Sequence, residues 1–182
     1  YVVKFETQNE DEHINNRNKS GYFAYSGTLS EYRSDEKPLL DLYYGVNTTE
    51  ENTISVNTKI YKYSNIDTFI TALNKKMEIP DWAYINSQKN KISTKGLNEI
   101  LSFTQDLPVK IDYDAAPPAI QVPSVLEKGF YLVDSYWKET QFQTFIQVTD
   151  LGTYSMHTEK EMLVWLNNLV NKSPVSDASI SY

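Results

Sequence analysis

Asp112 and Asp114 stand two residues apart in VKIDYD. On a strand that spacing puts both carboxylates on one side, where they could hold a divalent cation or serve as a glycosidase-type acid pair. The competing and preferred reading is a solvated strand face with Tyr113 buried opposite. Glu10, Asp11 and Glu12 offer oxygen ligands for calcium, but without the alternating Asp-x-Asp-x-Asp-Gly spacing such a loop needs, so they read as a solvated charge run. The two histidines, His13 and His157, leave little for metal or acid–base work. His157, flanked by Met156 and Thr158, is taken as an incidental loop histidine. Trp82, Tyr84, Tyr136 and Trp137 could build a platform for stacking sugar rings, although packing between elements is the commoner use of such side chains. The chain has no cysteine, which excludes disulfides, thiolate zinc sites and a cysteine nucleophile. P-loop, G-x-S-x-G, H-E-x-x-H and dinucleotide fingerprints are absent. No residue is therefore assigned a catalytic, cofactor-binding or metal-binding role, and no cofactor is expected.

The elements that would position these side chains are mostly strands. Among 182 residues there are 14 Tyr, 7 Phe and 3 Trp, with only 6 Gly, a composition suited to pleated, half-buried surfaces. A net charge of −7 argues against a nucleic-acid footprint. No apolar run approaches the roughly 20 residues of a membrane-spanning helix. Tyr1 to Phe5 reads as a short strand and Asn9 to Ser20 as a loop or leader. Gly21 to Leu29 reads as a strand or extended edge. Leu40, Leu42, Tyr44 and Val46 alternate, as do Ile54, Val56, Thr58 and Ile60 after a polar turn, and together the two runs predict an antiparallel hairpin.

At Ser64 the period changes. Ile66, Phe69, Ile70, Leu73 and Met77 form one helical stripe, with Ser64 and Asp67 as a weak capping box. Leu97, Ile100 and Leu101 predict a second, short helix over Lys95–Phe103. Pro117, Pro118 and Pro123 impose extended backbone. Gly129–Trp137 and Phe142–Thr149 predict a second hairpin. Asp150–Thr158 reads as a connection. Glu161–Leu169 fits either period, and the NKSP turn favours a strand paired with Val175–Tyr182, with Val175, Ala178 and Ile180 partly buried.

Three stretches in order, YRSDEKPLLDLYYGVN (Tyr32–Asn47) with TKIYKYSNIDTFI (Thr58–Ile70), VPSVLEKGFYLVD (Val122–Asp134), and FIQVTDLGTYSMHTEKEMLVWLNNLVNKSPVSDASISY (Phe145–Tyr182), resemble the amino-terminal region of bacterial alpha-2-macroglobulin-like proteins. The resemblance implies a mainly β chain: a fibronectin-III/immunoglobulin-like antiparallel β-sandwich of the macroglobulin type, with a short helical insertion around residues 64–104. It implies a leader or edge strand at 1–20, the sandwich at 21–149 and the start of a following macroglobulin-like domain at 150–182. Members of that family are large, secreted or periplasmic broad-range protease inhibitors that trap proteases through a bait segment and a Cys-Glx thioester. Lacking cysteine and any recognisable bait, this stretch would be a non-enzymatic scaffold, partnered by neighbouring macroglobulin domains of the same chain and by target proteases only through the full-length protein. The alternative is a carbohydrate-binding or adhesin-type module of a secreted or cell-surface protein. The hairpin over 161–182 is marginal alone, so the chain is expected to continue and to leave an exposed edge at Val175–Tyr182.

Overall fold

The structure is a computed structural model that describes residues 21–46, 52–79, 90–110 and 117–179. The expectations for Tyr1–Phe5, Asn9–Ser20 and Ile180 lie outside the described residues. Within them the chain is mainly β: β1 (Tyr22–Tyr25), β2 (Leu29–Tyr32), β3 (Leu39–Gly45), β4 (Thr53–Lys62), α1 (Ile66–Met77), β5 (Asn98–Pro108), β6 (Ala119–Gln121), β7 (Gly129–Trp137), β8 (Thr140–Val148), β9 (Leu151–His157), β10 (Met162–Asn168) and β11 (Ser173–Pro174). Three sheets result, ordered β1-β3-β6, β2-β8-β7-β4-β5 and β11-β10-β9.

The first two sheets share one core, an arrangement consistent with a β-sandwich. The alternation in β3 buries Leu40, Leu42 and Tyr44, and that in β4 buries Ile54, Val56, Thr58 and Ile60. These side chains meet Phe23, Ile120, Tyr131, Val133, Trp137, Phe142 and Ile146 between the sheets. Each fully buried aliphatic side chain stabilises the fold by roughly 1.5–3 kcal/mol. Phe23 stacks on Tyr44 and Phe142. Strands β7 and β8 are buried through five consecutive residues each, because a second layer covers their other face. There Phe69 of α1 packs with Tyr63, Ile92, Leu132 and Phe145.

The single extended segment predicted at Gly21–Leu29 holds β1 and only the first residue of β2. The chain breaks at Ser26–Thr28 and crosses from one sheet to the other, and β2 then runs parallel to β8. Thr144 holds the crossing by donating its hydroxyl to the Gly27 carbonyl at 2.8 Å. The predicted hairpin β7–β8 forms in full register.

Several expectations are corrected. Strands β3 and β4 are not a hairpin: β3 pairs with β1 and β6, whereas β4 pairs with β5 and β7. Alternation shows that each strand has one buried face, but two strands facing each other across a core satisfy it as well as two lying side by side. The second helix, Lys95–Phe103, is instead a turn followed by β5. Gly96 takes φ +85°, a left-handed conformation open to glycine without strain. A register shift opposite Ile60 and Tyr61 leaves Ile100 as an unpaired bulge residue. That extra residue spaces Leu97, which packs under α1, three and four positions from Ile100 and Leu101, the latter in the inter-sheet core. The bulge thus imitates a helical stripe.

The helix begins one residue later than its sequence signature, with Asn65 as the N-cap accepting a hydrogen bond from the Thr68 amide. Of its stripe, Phe69 and Leu73 pack inward while Ile66, Ile70 and Met77 remain exposed. Residues 151–157, read as a connection, form β9. Glu161–Leu169 resolves as the strand β10, but it pairs mainly with β9; of the expected partner Val175–Tyr182 only the adjacent Ser173–Pro174 pairs with it, and Ala178 is exposed.

Candidate functional site

Asp112, Asp114, Trp82, Tyr84, His13, Glu10, Asp11 and Glu12 lie outside the described residues. His157 sits exposed at the end of β9, opposite Met162. The sugar-platform residues within the described part are engaged elsewhere. Trp137 is 6% exposed and lies tilted against Phe23 in the core, and Tyr136 donates its hydroxyl to buried Asp134 at 2.5 Å. Among the described residues, no group of three or more His, Asp or Glu side chains could hold a metal ion, and no helix is long and apolar enough to cross a membrane.

Two polar clusters lie on opposite faces of the central strands. Towards the inter-sheet core, Thr58 and Ser135 are paired across β4 and β7 and share a 2.8 Å hydrogen bond, with the Tyr25 hydroxyl 2.5 Å from Ser135 Oγ. Burial raises the Tyr25 phenol well above its ordinary pKa. On the outer face, Asp134 receives Tyr136 and the Gln141 side-chain amide, which also donates to Tyr136 at 2.8 Å. The Lys91 amine donates to the Gln141 carbonyl. Burial, with Lys76 nearby, lowers its pKa to about 8. Donors and acceptors are matched in both clusters, as buried polar groups require.

A third feature is apolar. In antiparallel pairs, directly opposed residues project to the same side. The β9–β10 register therefore places Tyr154 beside Trp165 and Met156 beside Leu163 on one face. These four side chains are 63%, 52%, 52% and 54% exposed. Gly152 follows on the same face, and its missing side chain leaves the space taken by Leu169. The opposite face carries half-buried Val164 and Leu166 and exposed Met162 and Leu151, interspersed with Thr153, Ser155, His157 and Asn168. Large apolar side chains concentrated on one open sheet are unlike the single exposed residues normal on a surface.

A carboxylate anchors this sheet to the rest. Asp150, between β8 and β9, is 6% exposed. It accepts from the Ser34 amide at 3.0 Å and the Ser34 hydroxyl at 2.8 Å, and pairs with Lys128 at 2.6 Å. The Lys128 ammonium and the Ser34 donors hold its pKa down to about 2. Its carbonyl accepts from the Leu169 amide at 2.7 Å, tying the end of β10 to the same point. Asp150 was not singled out from sequence, since nothing local marks an aspartate whose hydrogen-bond donor, Ser34, lies 116 residues upstream. Tyr154, Met156, Leu163 and Trp165 did carry a signal, period-two spacing on both strands, but over too few residues to stand out. Neither a protein-family model nor a curated protein matches the chain.

Proposed function

We propose that this chain is a non-catalytic scaffold module, an immunoglobulin- or fibronectin-III-like sandwich that holds a second, apolar sheet out to another folded surface. Strand order supports the fold type. The sets β1-β3-β6 and β2-β8-β7-β4-β5 correspond to strands A-B-E and A′-G-F-C-C′ of that architecture, with α1 inserted between C and C′. Tyr131 supports it further. Near the start of β7, its hydroxyl donates to the Glu127 carbonyl four residues upstream at 2.5 Å, the pattern of a tyrosine corner at the E–F turn.

The observation that carries the functional reading is the apolar face of Tyr154, Met156, Leu163 and Trp165, held to the sandwich through Asp150. Chemistry by docking needs such a face and no reactive group. The sequence resemblance extends this to a segment of an alpha-2-macroglobulin-like inhibitor, located outside the cytoplasm, whose bait and thioester lie elsewhere in its chain and whose neighbouring macroglobulin domains flank it. Purified as 182 residues, the chain is expected to leave trypsin and subtilisin fully active and to incorporate no methylamine. Stoichiometric inhibition of either protease would overturn the scaffold reading.

The Tyr154–Trp165 pair also favours a second reading, a glycan-binding module using these rings as its platform. Ligand-dependent quenching of tryptophan fluorescence on a glycan panel, abolished by Trp165→Ala, would establish it.

A further inference from the structure

Resting on the docking reading above, we infer that the occupant of the β9–β10 face is a second copy of this chain, stacked sheet on sheet about a two-fold axis. Size is the first argument. An aromatic side chain offers roughly 150–250 Å2 in full, so four side chains about half exposed present on the order of 400 Å2. Two such faces, with Leu169 and the adjoining loop, bury on the order of 1,000 Å2 in total, which sits at the lower limit for a specific interface.

Charge is the second. Residues 151–182 carry Glu159, Glu161 and Asp177 against Lys160 and Lys172, so nearly all of the net charge of −7 lies on the remainder of the chain. Two copies that meet through this sheet keep their like charges apart, whereas other surfaces would bring them together. Composition is the third. A two-fold contact must be self-complementary, and this face alternates aromatic and flexible side chains along each diagonal. Trp165 and Tyr154 of one copy can rest on Met156 and Leu163 of the other, with thioether–ring contacts. Packed sheets lie about 10 Å apart, which side chains of these sizes fill. Among the described residues no charged side chain projects from the β9–β10 part of this face, so stacking leaves no buried ion unpaired.

Sedimentation velocity on the 182-residue chain, from about 1 to about 300 µM at physiological salt, tests this. The expected result is a reversible monomer–dimer equilibrium with a dissociation constant in the tens of micromolar, in keeping with a small interface. Trp165→Lys and Leu163→Asp should each weaken it at least tenfold. Tyr43→Lys, at an exposed aromatic on β3, should leave it unchanged. Circular dichroism of each variant separates lost pairing from lost folding. A chain that stays monomeric at 300 µM, or a dimer that Trp165→Lys leaves intact, overturns the inference. The protease assay above is untouched by either outcome, so self-pairing can fail while the scaffold reading stands. Monomeric chain whose Trp165 responds to glycans would likewise overturn it in favour of a sugar platform.

Discussion

Strands β8 and β10 are both laid antiparallel against a neighbour in unbroken register, yet β8 is buried on both faces and β10 lies open. Backbone pairing does not distinguish them. The difference is in what lies above and below. Strand β8 runs between the β1-β3-β6 sheet and the layer of α1 and Ile92, so Phe142, Thr144 and Ile146 point one way into a core while Gln143 and Phe145 point the other way under a lid. Among the described residues β10 has only its own sheet. The ladder satisfies the amides of both strands, but only layering removes apolar area from water, and layering is where most of the stability arises. The contrast also separates two uses of the same residue types. Aromatic side chains in β8 hold the chain together; those on β9 and β10 are available to something else.

The largest effects that would sharpen this contrast are deletions in the two regions. Phe145 is 1% exposed and packs edge-on against Phe69, so Phe145→Ala should destabilise the fold by about 3–5 kcal/mol in urea unfolding. Trp165→Ala, in dilute monomer, should stay within about 0.5 kcal/mol. Equal losses at the two sites would break the comparison.

Hydroxyl deletion gives a smaller version. Tyr131→Phe should lose about 0.5–1.5 kcal/mol with its bond to the Glu127 carbonyl, whereas Tyr154→Phe, with its ring largely in water, should be close to neutral.

The joint between the regions responds to pH. Because Lys128 and Ser34 hold the Asp150 carboxyl below its ordinary value, the folded state binds its proton later than the unfolded chain does. The stabilisation is complete above the ordinary aspartate pKa near 4 and is lost as pH falls through about 2. Hydrogen exchange of β9 and β10 amides should accelerate over that window relative to β7 and β8. Asp150→Asn should open 150–158 to limited proteolysis at neutral pH and leave a folded core. Unfolding of the whole chain on such cleavage would mean that the two regions are one cooperative unit.

A second pH response lies at Lys91. Burial beside Lys76 lowers its pKa to about 8, so between pH 8 and the ordinary lysine value near 10.4 the unfolded chain holds a proton that the folded one has released. Its contribution therefore rises with pH across that window. Lys91→Met should flatten that slope, so that stability depends less on pH across this window than in the parent chain. A slope unchanged by the substitution would assign it to another group.

Much of the sandwich was legible residue by residue. Leu40, Leu42 and Tyr44 announced one face of β3, Ile54 to Ile60 one face of β4, and the period change near Ser64 announced α1, because hydrophobic period reports directly on which side of an element meets a core. Where it failed, something non-local intervened. The bulge at Ile100 turned a strand into an apparent helix; its cause is the register against β4, half the sheet away in sequence. Strand β9 was missed since Tyr154 and Met156 alone carry its period-two signal, too short a run to read as a strand. Of the functional surface, the residues were visible and their companionship was not: Tyr154 and Trp165 become neighbours only through pairing, and Trp137 changes from platform to core only when Phe23 is laid against it.

By itself, the amino-acid sequence determined that this is a strand-rich chain with one clear helix, without thiol chemistry and with a hairpin over 129–149. Each of these depends on residue type or on contacts within a few positions. The tertiary structure alone decided that β3 and β4 part into different sheets, that Asp150 reaches back to Ser34, and that one apolar sheet is left uncovered among the described residues. Those outcomes follow from which surfaces meet across the core, and equal local patterns are compatible with many such meetings until packing and buried hydrogen bonds select one.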